Sequence, residues 1–185
     1  MPAFYPPFAG DLALVYALTG RLADALELAE RGVRQAQSMQ RLGRLSLLVT
    51  HLGEVRLLAG QTAAAAAEGR RALALAEAHK ERGNMVYARR LLALAAAEGS
   101  PPDVAQARGH YRAALALAEE LGMRPLVARG HLGLGRLARR AGDAAEAEHH
   151  LATARELFQE MGMTFWLERM GLDQVSPTVS GPPAI

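Results

Sequence analysis

The sequence predicts an all-α solenoid of stacked helical hairpins, and three observations carry the prediction. Two glycine series recur together: Gly20, Gly60, Gly99 and Gly142 lie 40, 39 and 43 residues apart, and Gly43, Gly83, Gly122 and Gly162 lie 40, 39 and 40 apart. A period near 40 residues marks a repeat array whose units bury their faces against one another. Alanine and leucine dominate the apolar content of a chain that is 50% hydrophobic and only 5% aromatic, which suits closely packed helices. No alternating run of valine, isoleucine or threonine reads as a strand, and the single isoleucine is Ile185.

The elements follow in order. Residues 1–7 form an N-terminal extension, and Pro6 and Pro7 suit a helix start. Residues 8–174 form the repeat domain, with units at about 8–43, 44–83, 84–122 and 123–162. The first unit holds a short helix over 8–19 and a second over 22–40, with Leu22, Ala25, Leu26, Ala29 and Val33 on one face. Helices at 44–59 and 62–82 follow, then 84–98 and 103–121, then 125–141 and 144–161. The turn Gly99-Ser100-Pro101-Pro102 is longer than the others and accounts for the 43-residue step. Residues 164–174 read as a short closing helix, and 175–185, rich in Pro, Ser and Gly, as a disordered tail. One glycine series marks the turn within each hairpin and the other the junction between hairpins. At both places a positive φ costs glycine little.

Composition excludes several classes. With no cysteine among 185 residues there is no disulfide, thiolate nucleophile or cysteine metal site, which fits the cytoplasm. No apolar span is long enough for a transmembrane helix, and the N-terminus lacks the basic and apolar regions of a secretory signal. The pI of 9.4 rests on a net charge of +2 and argues only weakly for nucleic acid. Lys80 is the only lysine; the other basic residues are arginines.

The pattern resembles the tetratricopeptide (TPR) repeat. Leu52-Gly53 and Leu134-Gly135 match its first-helix Leu-Gly pair, and Gly20, Gly60 and Gly142 its turn. Ala25, Ala65 and Ala147 stand five residues past the turn. Ala72 and Ala154 stand twelve past it, with Gly32 in that place in the first unit. Ala107 and Ala114 do the same after the longer third turn, and Tyr16 fills the first-helix aromatic place. The pattern's tryptophan and its closing proline are absent, and the unit exceeds the usual length of about 34. The stretches 118–128, 131–136 and 156–168 are similar to the C-terminal TPR region of bacterial adenylate/guanylate-cyclase-type proteins and related ATPase regulators. The resemblance implies a right-handed α-solenoid of about four TPR-like hairpins plus a short C-terminal closing helix. It also implies a non-catalytic interaction scaffold in a bacterial signalling protein. In that family the repeats follow a catalytic or ATPase portion, and no such segment is present here. The chain reads equally as a fragment, a truncated frame or a stand-alone repeat protein.

Motifs that could carry chemistry have plainer explanations. Gly133-Leu-Gly135-Arg-Leu-Ala138 matches a dinucleotide-binding string, but it lies inside a helix instead of after a strand, so helix packing explains it. His149 and His150 are adjacent and diverge by about 100° around a helix. His150 with Glu146 makes only two ligands. His51, His79, His110 and His131 show no ligand spacing. Ser38, Ser46 and Ser100 are scattered, with no nucleophile elbow. Neither an enzyme, a cofactor nor a metal is expected. Phe158, Phe165 and Trp166 are expected to seal the last hairpin.

By the resemblance, first helices line a concave groove. Arg129, Arg136 and Arg140 share a helix face, Arg89 is a candidate on the preceding first helix, and Glu54 is the acidic residue on the one before. These residues either clamp an acidic peptide or C-terminal carboxylate through guanidinium forks or simply solvate the surface. The expected partner is a protein or peptide, with a small-ligand sensor and a nucleic-acid binder as alternatives. If preceding repeats are missing, an apolar face of the helix over 8–19 is uncovered, and self-association through that end is then an expectation.

Overall fold

A computed structural model describes residues 6–39 and 44–175 of the chain. Residues 1–5, Gly43 and the expected tail from 176 onward lie outside the described residues. The described residues form nine helices: α1 (Pro6–Leu18), α2 (Leu22–Ser38), α3 (Leu45–Leu58), α4 (Thr62–Ala78), α5 (Arg82–Ala97), α6 (Val104–Glu120), α7 (Arg124–Arg140), α8 (Ala144–Glu160) and α9 (Thr164–Val175). No strand occurs among them. Each helix packs on its neighbour in sequence, as the short turns require. Beyond those pairs α1 meets α3, α3 meets α5 and α5 meets α7, whereas no even-numbered helix packs on another. Helices α1, α3, α5 and α7 therefore form a continuous wall, and the even-numbered ones back it.

Small residues allow the helices to approach. Ala25, Ala65, Ala72, Ala107, Ala114, Ala147 and Ala154 are all buried. Gly133 and Gly135 explain the dinucleotide-like string. A Cβ on Gly133 would run into the ring of Tyr111, and one on Gly135 would lie 2.7 Å from Cγ of Leu151. Both glycines are contact points between helices, as the sequence indicates. Larger apolar groups fill the remaining core, with Val49, Val55, Leu57, Leu91 and Phe158 fully enclosed.

One turn geometry serves six connections. The amide following the left-handed residue donates to the carbonyl five residues earlier, as in Arg21 to Tyr16, Gln61 to Arg56, Glu81 to Ala76, Met123 to Ala118, Asp143 to Ala138 and Met163 to Phe158. This is the Schellman closure of a helix. Gly20, Gly60, Gly122, Gly142 and Gly162 supply the positive φ at five of them. The sixth corrects the sequence reading: Lys80, with φ 56°, takes that place, and Gly83 lies inside α5. Gly99 is not in the left-handed region either. The longer connection from Glu98 to Asp103, which contains a cis Ser100–Pro101 bond, replaces the glycine turn there. Asp103 and Asp143 cap the helices that follow by accepting from the amides of Gln106 and Glu146, at 2.8 and 3.0 Å. Helix α4 ends at Ala78, short of the expected 82, because Lys80 closes it.

Candidate functional site

The odd-numbered wall carries a charged seam. Glu54 on α3 and Arg90 on α5 form an ion pair, with side chains only 4% and 5% exposed. Two buried charges are stable in such a place only as partners. Arg129 on α7 joins them through space. Burial first, and then the positive charge of Arg90, push its guanidinium down to about 9, while Glu54 acts in the opposite direction. Arg129 remains a cation at neutral pH. Two guanidiniums thus share one carboxylate, and Nε of Arg90 is buried with no hydrogen-bond partner.

Aromatic residues enclose the seam. The guanidinium carbon of Arg129 lies 4.6 Å from the centroid of the Trp166 ring on α9. Trp166 stacks on the buried Phe158, with centroids 5.9 Å apart and planes 13° apart. Phe158 and Trp166 therefore close the last hairpin as expected. Phe165 meets Trp166 edge-on at 5.4 Å but stays half exposed. Tyr87 and Tyr111 also lie near enough to influence Arg129. Burial pushes the Tyr111 phenol up to about 12, so it stays protonated.

The structure brings Glu54 and Arg129 into one cluster and separates the other candidates. Arg89 does not face the seam; it reaches Glu77 on α4 at 3.7 Å. Its neighbour Arg90, about 100° further round the helix, takes the inward place. Arg140 reaches back to Glu98 at the end of α5, at 2.7 Å with both side chains exposed. Arg136 is half-buried and already engaged. Glu54 itself is no exposed groove residue but the buried counter-ion of Arg90. Sequence reasoning missed Arg90 and the pairing of Arg129 with Trp166. The one available signal was the Arg89-Arg90 doublet, which does not show which arginine faces inward.

A second cluster joins α7 and α8. Nδ1 of His131 lies 2.9 Å from Nδ1 of His150, and the His149 ring centroid is 5.3 Å from that of His150. Neither partner has spacing that suggests the other; the hairpin brings them together. Glu146 is held by Arg108 at 3.0 Å and Arg112 at 3.4 Å. Among the described residues no group of three or more side chains could hold a metal ion. No described helix is long and apolar enough to cross a membrane.

No protein-family model matches the chain, and no curated protein matches it. Among solved structures it is similar to BtubC (BKLC) from P. vanneervenii, with a TM-score of 0.66 at 16% identity over 100% of this chain and 72% of that one. At that identity the likeness speaks for the fold alone, an all-helical repeat arrangement.

Proposed function

We propose that the protein is a non-catalytic, TPR-type scaffold, a right-handed solenoid that binds an acidic peptide or helix on its odd-helix wall. Helices that touch one another lie on the tighter side of a curved array, which supports reading this wall as the concave face. The observation that carries the reading is the charge count in the seam: Arg90 and Arg129 against Glu54 alone, with the Nε donor of Arg90 unmatched. An incoming carboxylate supplies the missing counter-charge, and charge-assisted bonds to guanidinium are among the stronger polar contacts. Trp166 gives that ligand an aromatic edge. The resemblance to bacterial signalling regulators supports reading such a module as the cytoplasmic, regulatory part of a larger system.

Trp166 is the only tryptophan, so its fluorescence reports on the seam. Titration with peptides ending in acidic residues is expected to change that emission, and Arg129→Gln is expected to weaken binding by about tenfold or more. Neutral and basic peptides should leave it unchanged. Binding that survives Arg129→Gln but is lost on Arg136→Glu with Arg140→Glu places the ligand elsewhere on α7. Tight binding of an oligonucleotide with steep salt dependence replaces the peptide reading with a nucleic-acid one.

A further inference from the structure

Helix α1 is built opposite to an ordinary surface helix. Its inward face is small: Ala9, Ala13 and Ala17 pack into the core. Its outward face carries four large apolar groups, Phe8 at 66% exposed, Leu12 at 40%, Val15 at 53% and Leu18 at 49%, interrupted by one acid, Asp11, whose carboxylate lies 3.8 Å from Nδ1 of His51. Phe8, Leu12 and Val15 follow the i, i+4, i+7 spacing of one helical stripe, and Leu18 extends it by another turn.

The rim of that stripe indicates what covers it. Leu12 and Tyr16 line one side of a groove, and Asp24, Glu27 and Arg31 on α2 line the other. Asp24, Glu27, Arg31 and Arg34 follow i, i+3, i+7, i+10 and so share one face of α2. The order along that face is two acids and then two bases. Such an order is complementary to itself when reversed. A two-fold axis across the middle of α1 lays Phe8 toward Leu18 of the other copy and brings each acidic end of α2 to the other copy's basic end. In-chain pairs already join Arg21 to Asp24 at 2.7 Å and Arg34 to Glu30 at 3.3 Å, both well exposed, and Arg31 is engaged within the chain as well. The intermolecular pairs therefore set register and partner choice more than affinity. The affinity comes from the apolar stripe.

We infer that α1 is a two-fold dimer interface, in which the stripe Phe8, Leu12, Val15 and Leu18 packs antiparallel against the same stripe of a second copy. The interface is isologous, so assembly closes at two. It lies on the α1–α2 hairpin, and its success or failure is independent of the seam around Arg129.

Sedimentation velocity or light scattering over a wide concentration range tests the inference. The wild-type chain is expected to reach a dimer and go no further. Leu12→Glu with Val15→Glu replaces two outward groups and is expected to give a monomer with unchanged helical circular dichroism. Two charge variants then test the register: Asp24→Arg with Glu27→Arg makes the rim basic, and Arg31→Glu with Arg34→Glu makes it acidic. Each alone is expected to dimerise about tenfold or more weakly, and an equimolar mixture to recover a heterodimer. A wild-type monomer at every concentration, growth beyond the dimer, or a dimer insensitive to Leu12 and Val15 overturns it.

Discussion

Arg129 lays its guanidinium over the indole of Trp166, 4.6 Å from the ring centroid, and thereby ties α7 to the closing helix α9. The backbone of α9 packs on α8, while Met170 of α9 joins Ala128 and Leu132 of α7 in one apolar cluster. The pair therefore does structural work as well as shaping the seam. Removing the cation by Arg129→Gln is expected to cost about 0.5–2 kcal/mol of stability, the range of a partly desolvated cation–π contact. Trp166→Leu should cost more, because it also removes the stack on Phe158. Denaturant unfolding followed by circular dichroism separates the two. An Arg129→Gln chain as stable as wild type would show that the contact only orders the guanidinium.

The Glu54–Arg90 pair makes a sharper prediction. Both side chains are buried, so truncating either leaves a charge without its partner. Glu54→Gln or Arg90→Met alone is expected to cost about 3–5 kcal/mol. The double replacement, Glu54→Met with Arg90→Met, should recover most of that loss, because two apolar groups need no counter-charge. The recovered chain is expected to lose its response to acidic peptide. A double-mutant cycle with no coupling would mean that the two charges are solvated separately.

Four histidines are expected to contribute to the acid limb of stability. Burial lowers the values of His51, His110, His131 and His150, and at His131 the charges of His150 and His149 add to it. Around the pair stand His149, Glu146, Arg108 and Arg112, of which only Glu146 favours protonation of His150. In the unfolded chain these groups titrate near 6.5. Between that value and their lower folded values the unfolded state binds more protons, so stability rises with pH. The contribution is fully present above about pH 6.5 and is lost as the pH falls from there through the lower folded values. Midpoints measured from pH 8 to pH 5 should fall, by about the same fold in replicate salts if burial dominates. His131→Gln should flatten the curve. An unchanged slope would assign the acid sensitivity to the other histidines.

The hairpins were legible in the sequence because apolar period and turn chemistry agree there. The alanines five and twelve residues past each turn are buried, and Gly133 and Gly135 pack as helix contacts. The seam was legible only in part. Glu54 and Arg129 were visible as charges on first helices, but the choice between Arg89 and Arg90 depends on a helix rotation of about 100° that spacing alone does not fix. Trp166 approaches Arg129 only because α9 folds back over the last hairpin, and His131 meets His150 across a turn. Contacts of that kind depend on packing between helices, which one-dimensional periodicity does not encode.

Among the described residues the second glycine series fails at one junction, and that failure can be measured. Lys80 holds the left-handed place, φ 56°, that Gly122 and Gly162 hold at the corresponding turns. A side chain in that region costs roughly 1–2 kcal/mol relative to glycine. Lys80→Gly is therefore expected to stabilise the chain by about that amount, with a midpoint rise of about 2–4 °C per kcal/mol for a chain of this size. Gly83, inside α5, can take a methyl group at little cost: an added Cβ would lie 3.8 Å from Cε of Met123, an ordinary contact. Gly83→Ala should add up to about 1 kcal/mol through helix propensity. The reverse change supplies the control. An added Cβ on Gly122 meets nothing within 4 Å, so Gly122→Lys tests the backbone angle without any clash. It should lose what Lys80→Gly gains. If both changes leave the midpoint where it was, the left-handed turn is not what distinguishes these junctions.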